Sequence, residues 1–173
     1  MVVTPVDPAA APAPGTGLRV RPAAAADLDA VVELRLALLR EYGHHAVYGR
    51  LHPDVEARAP RLCRQQLDSP RDAFFLAEAG GRAVGLLRCT ESEASPLLLV
   101  ERFAYLSSVY VRPGYRRRGI LRALLGAADA WCRERGIADM RLHNVPGGGA
   151  AAAWAAVGFD VTEEVRIRRR GEP

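Results

Sequence analysis

Of the 173 residues none is lysine, so all 24 strongly basic side chains are arginine. That absence excludes Schiff-base chemistry on a lysine, a P-loop and a kinase-type phosphate lysine together. Cysteine is scarce: Cys63, Cys89 and Cys132 stand far apart, with no C-x-x-C spacing, which excludes a disulfide framework and a cysteine zinc site and suits a reducing cytoplasm. No apolar run reaches the roughly 18 residues of a membrane span, and no basic segment followed by an apolar one marks a signal peptide. A cytoplasmic protein without a membrane partner is the expectation.

What is present fits a folded chain. Hydrophobic residues make up 49% and charged residues 25%, enough for one core and too apolar for wholesale disorder. Residues 1–16 are dominated by Ala and Pro, with Pro5, Pro8, Pro12 and Pro14, and are expected to be a disordered tail because proline denies helix and ladder hydrogen bonds. Residues 17–173 are expected to form a single domain.

Leu18 to Pro22 reads as a strand. Asp27 then precedes a helix whose apolar positions run from Leu28 to Leu39, and a second helix covers Asp54 to Leu67. Ala73 to Glu78, Gly80-Gly81 and Ala83 to Cys89 predict a hairpin, with Glu91, Glu93 and Pro96 in the loop that follows. Ala104 to Val111 is the next strand. A helix with Leu121, Leu124, Leu125, Ala128, Trp131 and Cys132 on one face ends at Gly136. Ala138 to Leu142 is a strand, Gly147 to Gly149 a loop, Ala150 to Ala156 a short helix and Phe159 to Ile167 a last strand. The order predicts an α/β or α+β sheet with helices on both faces.

The net charge of +4 is local: Arg112, Arg116, Arg117, Arg118 and Arg122 crowd one stretch and Arg166 to Arg170 another. The first stretch carries the strand ending at Val111 through a glycine-bearing loop into a helix. The first N–H groups of a helix lack intrahelical partners and sit at the positive end of its dipole, so this loop suits a phosphate or pyrophosphate. A solvated basic turn fits the same residues.

Val111-x-Pro113-x-Tyr115-Arg116-x-x-Gly119-Ile120 resembles the acyl-CoA loop of the GNAT superfamily of N-acyltransferases, written R/Q-x-x-G-x-G/A. Arg116 and Gly119 match it, and Leu121 replaces the usual small residue. Ala150 to Gly158-Phe159 resembles the family's C-terminal signature. The resemblance implies a mixed, mostly antiparallel central sheet with a splayed parallel strand pair. It implies acetyl-CoA, or another short acyl-CoA, as donor, with the backbone of Arg116, Arg117, Arg118, Gly119, Ile120 and Leu121 on the pyrophosphate and that of Val109, Tyr110 and Val111 on the pantetheine arm. It further implies direct attack by a primary amine, on a small molecule or a peptide, without a covalent intermediate.

Two family positions differ. Gly147 stands where Asn is frequent, and Trp154 stands where a Tyr commonly protonates the CoA thiolate. Trp154 reads as packing over the pantetheine. Asn144, the only asparagine, either contacts the bound molecules or ends a strand as a satisfied amide.

Apolar alternation fails between Leu106 and Val109, which a β-bulge at Ser107 or Ser108 would restore; a serine bonded to backbone within the core also fits. In the family such a bulge aims an N–H at the thioester carbonyl, giving Ser108 an oxyanion role. Tyr105 takes the place of a common family glutamate and is a poor base at neutral pH. Glu101, Glu91 and Glu93 are therefore candidates to relay the amine's proton or attract the amine, or else are solvated charges. His44, His45, Tyr48 and His52 fall where the family builds its acceptor pocket. Their spacing does not favour a metal, leaving acceptor contact or surface caps. A catalytically silent CoA-binding sensor is the alternative function. A basic nucleic-acid-binding module is a weaker one, because few aromatics interleave the arginines and no known DNA- or RNA-binding motif is present. The oligomeric state is open.

Overall fold

The computed structural model describes residues 17–145, 149–168 and 170. The Ala/Pro-rich tail over 1–16 lies outside them, as do Gly147 and Gly148 of the expected loop. Elements follow in the order β1 (Arg19–Pro22), α1 (Leu28–Glu41), α2 (Val55–Leu67), β2 (Asp72–Ala79), β3 (Arg82–Glu93), β4 (Arg102–Val111), α3 (Ile120–Glu134), β5 (Asp139–Leu142) and α4 (Gly149–Ala155). Short 3-10 turns at Ala25–Asp27 and Pro113–Tyr115 lead toward α1 and α3.

The described residues form two compact units, one through Leu142 and one from His143 onward. The first holds a five-stranded sheet in the order β1-β2-β3-β4-β5. Every neighbouring pair is antiparallel except β4 with β5, which is parallel. This is the mixed, mostly antiparallel sheet expected from the sequence.

Phe74, Phe75, Leu76 and Ala77 are consecutive and all buried, because β2 is covered on both faces and reads as a continuous apolar run. Val31 and Leu34 of α1 and Cys63 of α2 pack with Phe74, Leu76, Leu86 and Tyr110 on one face. On the other face α3 sits close over Gly85: a Cβ there would lie 3.0 Å from Ile120 Cγ2 and 3.3 Å from Leu124 Cδ1. The missing side chain lets the first turns of α3 seat on β3, which fixes the start of α3 beside the end of β4.

Two expectations are corrected. Glu91 and Glu93 are not in a loop: β3 continues through them, opposite Ala104 and Arg102. Phe159 to Ile167 forms no strand; Val161, Val165 and Ile167 are 91%, 66% and 58% exposed. A strand is stable only with a ladder partner and a buried face, and Glu163 interrupts the apolar alternation of this segment.

Candidate active site

The loop between β4 and α3 has the backbone of an anion cradle. Arg117 has φ +62 and Gly119 φ +78, with Arg118 between them outside the left-handed region. Alternation of this kind gathers successive N–H groups on one side of the chain. Gly119 is also the N-cap of α3 and adds no side-chain cap, so the N–H groups of Ile120, Leu121 and Arg122 remain available without intrahelical acceptors.

The arginines divide by role. Arg112 donates from Nε to the Ala83 carbonyl at 3.0 Å and from Nη2 to Glu33 at 2.7 Å. Arg116 donates from Nε to the Val111 carbonyl at 2.9 Å and from Nη2 to Glu41 at 2.5 Å, and lies 5.8 Å from the centre of the Tyr110 ring. Both therefore clasp the loop to α1 and to the end of the strands. Arg118 stacks over Tyr115 at 5.7 Å. Arg117 and Arg122 are exposed and add positive potential at the helix start.

Beside this loop the outer edge of β4 opens. Pairing with β5 runs from Phe103–Asp139 to Leu106–Leu142 and stops there, so among the described residues no strand pairs with the outer edge from Ser107 to Val111. The Tyr110 side chain is buried in the core, leaving its backbone for contacts. At the same point the β3–β4 register slips: Leu86 faces Tyr110 and Arg88 faces Ser107, so Ser108 and Val109 both oppose Leu87. Ser108 has φ +51. The bulge expected at Ser107 or Ser108 is present, and it follows directly on Leu106, the last β4 residue paired with β5.

The acidic candidates are spread out. Glu101 is exposed and precedes β4, seven residues before Ser108, or about 23 Å along an extended strand. Glu91 is paired with Arg102 at 2.8 Å and Glu93 with Arg71 at 2.9 Å. Tyr105, half-buried, shares the Ser107 side of β4 by strand alternation. Sequence reasoning missed Asp72, Arg88 and Thr90, which cluster against Ser107 on that face. The only signal for them was a charged residue inside the apolar run from Val84 to Cys89.

After α1 comes a compact aromatic group. His45 and Tyr48 stack at 4.9 Å, and Tyr42 meets Tyr48 edge-on at 6.1 Å. His45 Nδ1 accepts the N–H of Tyr48 at 3.1 Å, while His44 is exposed. Among the described residues no three His, Cys, Asp or Glu side chains converge as metal ligands, and no helix is long and apolar enough to cross a membrane. All three cysteines are buried free thiols. Burial raises the pKa of Cys89, on β3, well above the ordinary thiol range, so it is a poor nucleophile. In the second unit Asn144 is exposed, and Trp154 packs edge-on against Phe159 at 5.4 Å.

Known proteins share this architecture. The family model described as acetyltransferase (GNAT) family matches residues 33–159. An aminoglycoside N(6')-acetyltransferase type 1 of Stenotrophomonas maltophilia is 30% identical over 157 residues, covering 84% of this chain and 88% of that protein. A GCN5-related N-acetyltransferase from Ralstonia eutropha JMP134 superposes with a TM-score of 0.73 at 27% identity, over 90% of this chain and all of that one. Aminoglycoside N-acetyltransferase AAC(6')-Iy, solved with CoA, shares the fold with a TM-score of 0.75 at 22% identity, over 90% and 96% of the two chains.

Proposed function

The chain belongs to the GNAT acetyltransferase family, and from that premise we propose that its acceptor is an aminoglycoside, acetylated on a primary amine. The enzyme is an acetyl-CoA-dependent N-acetyltransferase. One observation carries the choice of acceptor: the 30% identity to an aminoglycoside N(6')-acetyltransferase spans most of both chains, not the cofactor loop alone. The family match also runs through Leu142 and His143, which supports reading residues 17–173 as one acyltransferase domain. Three buried free thiols support a reducing cytoplasm as its location.

In this reading the backbone from Arg116 to Leu121 receives the pyrophosphate at the start of α3. The pantetheine arm pairs with the open edge of β4 from Val109 to Val111 as an added strand would. That arrangement brings the thioester to the bulge, where the Ser108–Val109 backbone donates to its carbonyl oxygen. The amine attacks directly, the oxyanion is stabilised by the fixed N–H, and CoA leaves as the thiolate. The ammonium proton departs through water oriented by Tyr105. Exposed Tyr48, stacked on half-buried His45, offers an aromatic surface to the ammonium groups of the acceptor.

A thiol-release assay with acetyl-CoA tests this directly. Release is expected with an aminoglycoside bearing a free 6′-amine and not with its 6′-hydroxy counterpart. Turnover of amino acids or peptide N-termini with none of any aminoglycoside would overturn the assignment of acceptor.

A further inference from the structure

Arg88 stands in the interior of β3, opposite Phe74 of β2 and Ser107 of β4. Its side chain is only 14% exposed, and Nη2 lies 2.6 Å from Oδ1 of Asp72, which is 8% exposed. The Thr90 hydroxyl donates to the same carboxylate oxygen at 2.8 Å. Nη1 donates to Ser107 Oγ at 3.3 Å, and the guanidinium lies 5.8 Å from the centre of the Phe74 ring. Nε is buried with no hydrogen-bond partner.

Stability alone gives no reason for this arrangement. A buried ion pair is often matched or bettered by apolar residues of the same volume, and a buried donor without an acceptor is a net cost. Its geometry serves another end. The pair reaches from β2 across β3 to Ser107, the residue immediately before Ser108, whose φ of +51 is strained for a residue with a side chain. Such a conformation persists only where its surroundings over-determine it. The hydrogen bond from Arg88 to Ser107 is the side-chain tether on the β3 side of the bulge.

We propose that Arg88 is a positioning residue for acetyl transfer: seated on Asp72, it holds the Ser107 hydroxyl and so fixes the Ser108–Val109 bulge that donates to the thioester carbonyl. This rests on the reading of the bulge as the oxyanion donor. It assigns the Asp72–Arg88 pair a kinetic role, with no contact to either substrate.

The test uses the full chain and separates kcat from binding. Ser107→Ala removes only the acceptor of Nη1, and the paired change Arg88→Met with Asp72→Asn removes the tether without stranding a buried carboxylate. Each is expected to lower kcat about tenfold to a hundredfold, below the loss of a whole oxyanion donor. The KM for the aminoglycoside and the Kd for acetyl-CoA should stay within about twofold, as expected when binding before the transition state is untouched. Ser107→Thr, which keeps the hydroxyl, should restore kcat, and combining Ser107→Ala with the paired change should cost no more than the paired change alone. Wild-type kcat in Ser107→Ala, or fully additive losses, would overturn the proposal, and the Ser107 variants decide it even where the paired change fails to fold. Gly119→Glu separates the two layers by placing a negative side chain at the pyrophosphate site. If that variant binds acetyl-CoA normally, the reading of the site falls; if it loses binding while Ser107→Ala is unaffected, only the positioning role falls.

Discussion

Glu41, the last residue of α1, and Arg116, in the loop before α3, are joined at 2.5 Å although 75 residues separate them in the chain. The contact ties the loop between β4 and α3 to the point where the aromatic segment from Tyr42 to Tyr48 begins. Arg116 matches the first position of the acyl-CoA motif, but its guanidinium is occupied by Glu41 and the Val111 carbonyl. The loop's shape therefore depends on Arg116, and in the proposed reading the anion is left to the backbone N–H groups.

Arg116→Ala is accordingly expected to weaken CoA binding three- to tenfold in calorimetry. Both partners are 42% exposed, so the pair itself contributes less than about 1 kcal/mol to stability, and the melting temperature should move little. A loss of CoA affinity beyond about a hundredfold, the order of a lost charged hydrogen bond to phosphate, would mean that Arg116 turns to the ligand instead.

The left-handed conformation at Ser108 makes two substitutions diverge. Glycine accepts φ +51 freely but loses more entropy on folding, and these effects offset, so Ser108→Gly should leave stability within about 1 kcal/mol of wild type. A β-branched side chain is a genuine outlier there. Ser108→Val should cost about 2 kcal/mol in urea denaturation, as backbone strain of this kind does, and should lower kcat more than Ser108→Gly by distorting the bulge. Equal kcat in the two variants would separate the bulge from the chemistry.

Asp27 gives the fold an acid-sensitive clasp. Its carboxylate accepts two hydrogen bonds from Arg21, at 2.7 Å each, and one from the Ala24 N–H at 2.7 Å. The Arg21 hydrogen bonds, opposed by burial and helped by Ala24, hold its pKa near 2, against 3.8 ordinarily. A depressed acid stabilises the fold above its unfolded pKa, and that contribution disappears as pH falls from about 4 to about 2. Asp27→Asn should therefore cost on the order of 1–2 kcal/mol at pH 7, and the difference from wild type should vanish near pH 2. A difference independent of pH would show that shape rather than charge matters at this position.

What was legible in the sequence was local. The broken alternation between Leu106 and Val109 located the bulge, and Gly119 located the turn into α3, because each pattern is set by neighbouring residues. The Asp72–Arg88–Ser107 cluster was not legible, since it depends on the register of three strands, which the chain order leaves open. The clasp of Arg116 on Glu41 escaped for the same reason. Phe159 to Ile167 has the composition of a strand, but a strand also needs an edge to pair with, which composition does not supply. The extension of β3 through Glu91 and Glu93 arises from Arg102 and Arg71, whose pairing lets charged residues continue the strand.

Glu101 illustrates how the register decides a catalytic role. Its place before the bulged strand made it a candidate base, but β4 runs unbroken from Arg102 to Ser108. That places Glu101 about 23 Å along the strand from Ser108, the oxyanion site of the proposed reading, where a relay through one water does not reach. Its backbone carbonyl accepts the Ala94 N–H at 2.8 Å and closes the β3–β4 connection, an interaction that does not use the side chain. Glu101→Gln should therefore match wild type in kcat, in KM for the proposed aminoglycoside acceptor and in the acidic limb of the kcat/KM profile. Tyr105→Phe, on the Ser107 side of the strand, should lower kcat about tenfold with acetyl-CoA affinity unchanged, a smaller loss than removal of a full general base. A shift of the acidic limb in Glu101→Gln, with none in Tyr105→Phe, would place the proton relay at the far end of β4 and move the site of acyl transfer with it.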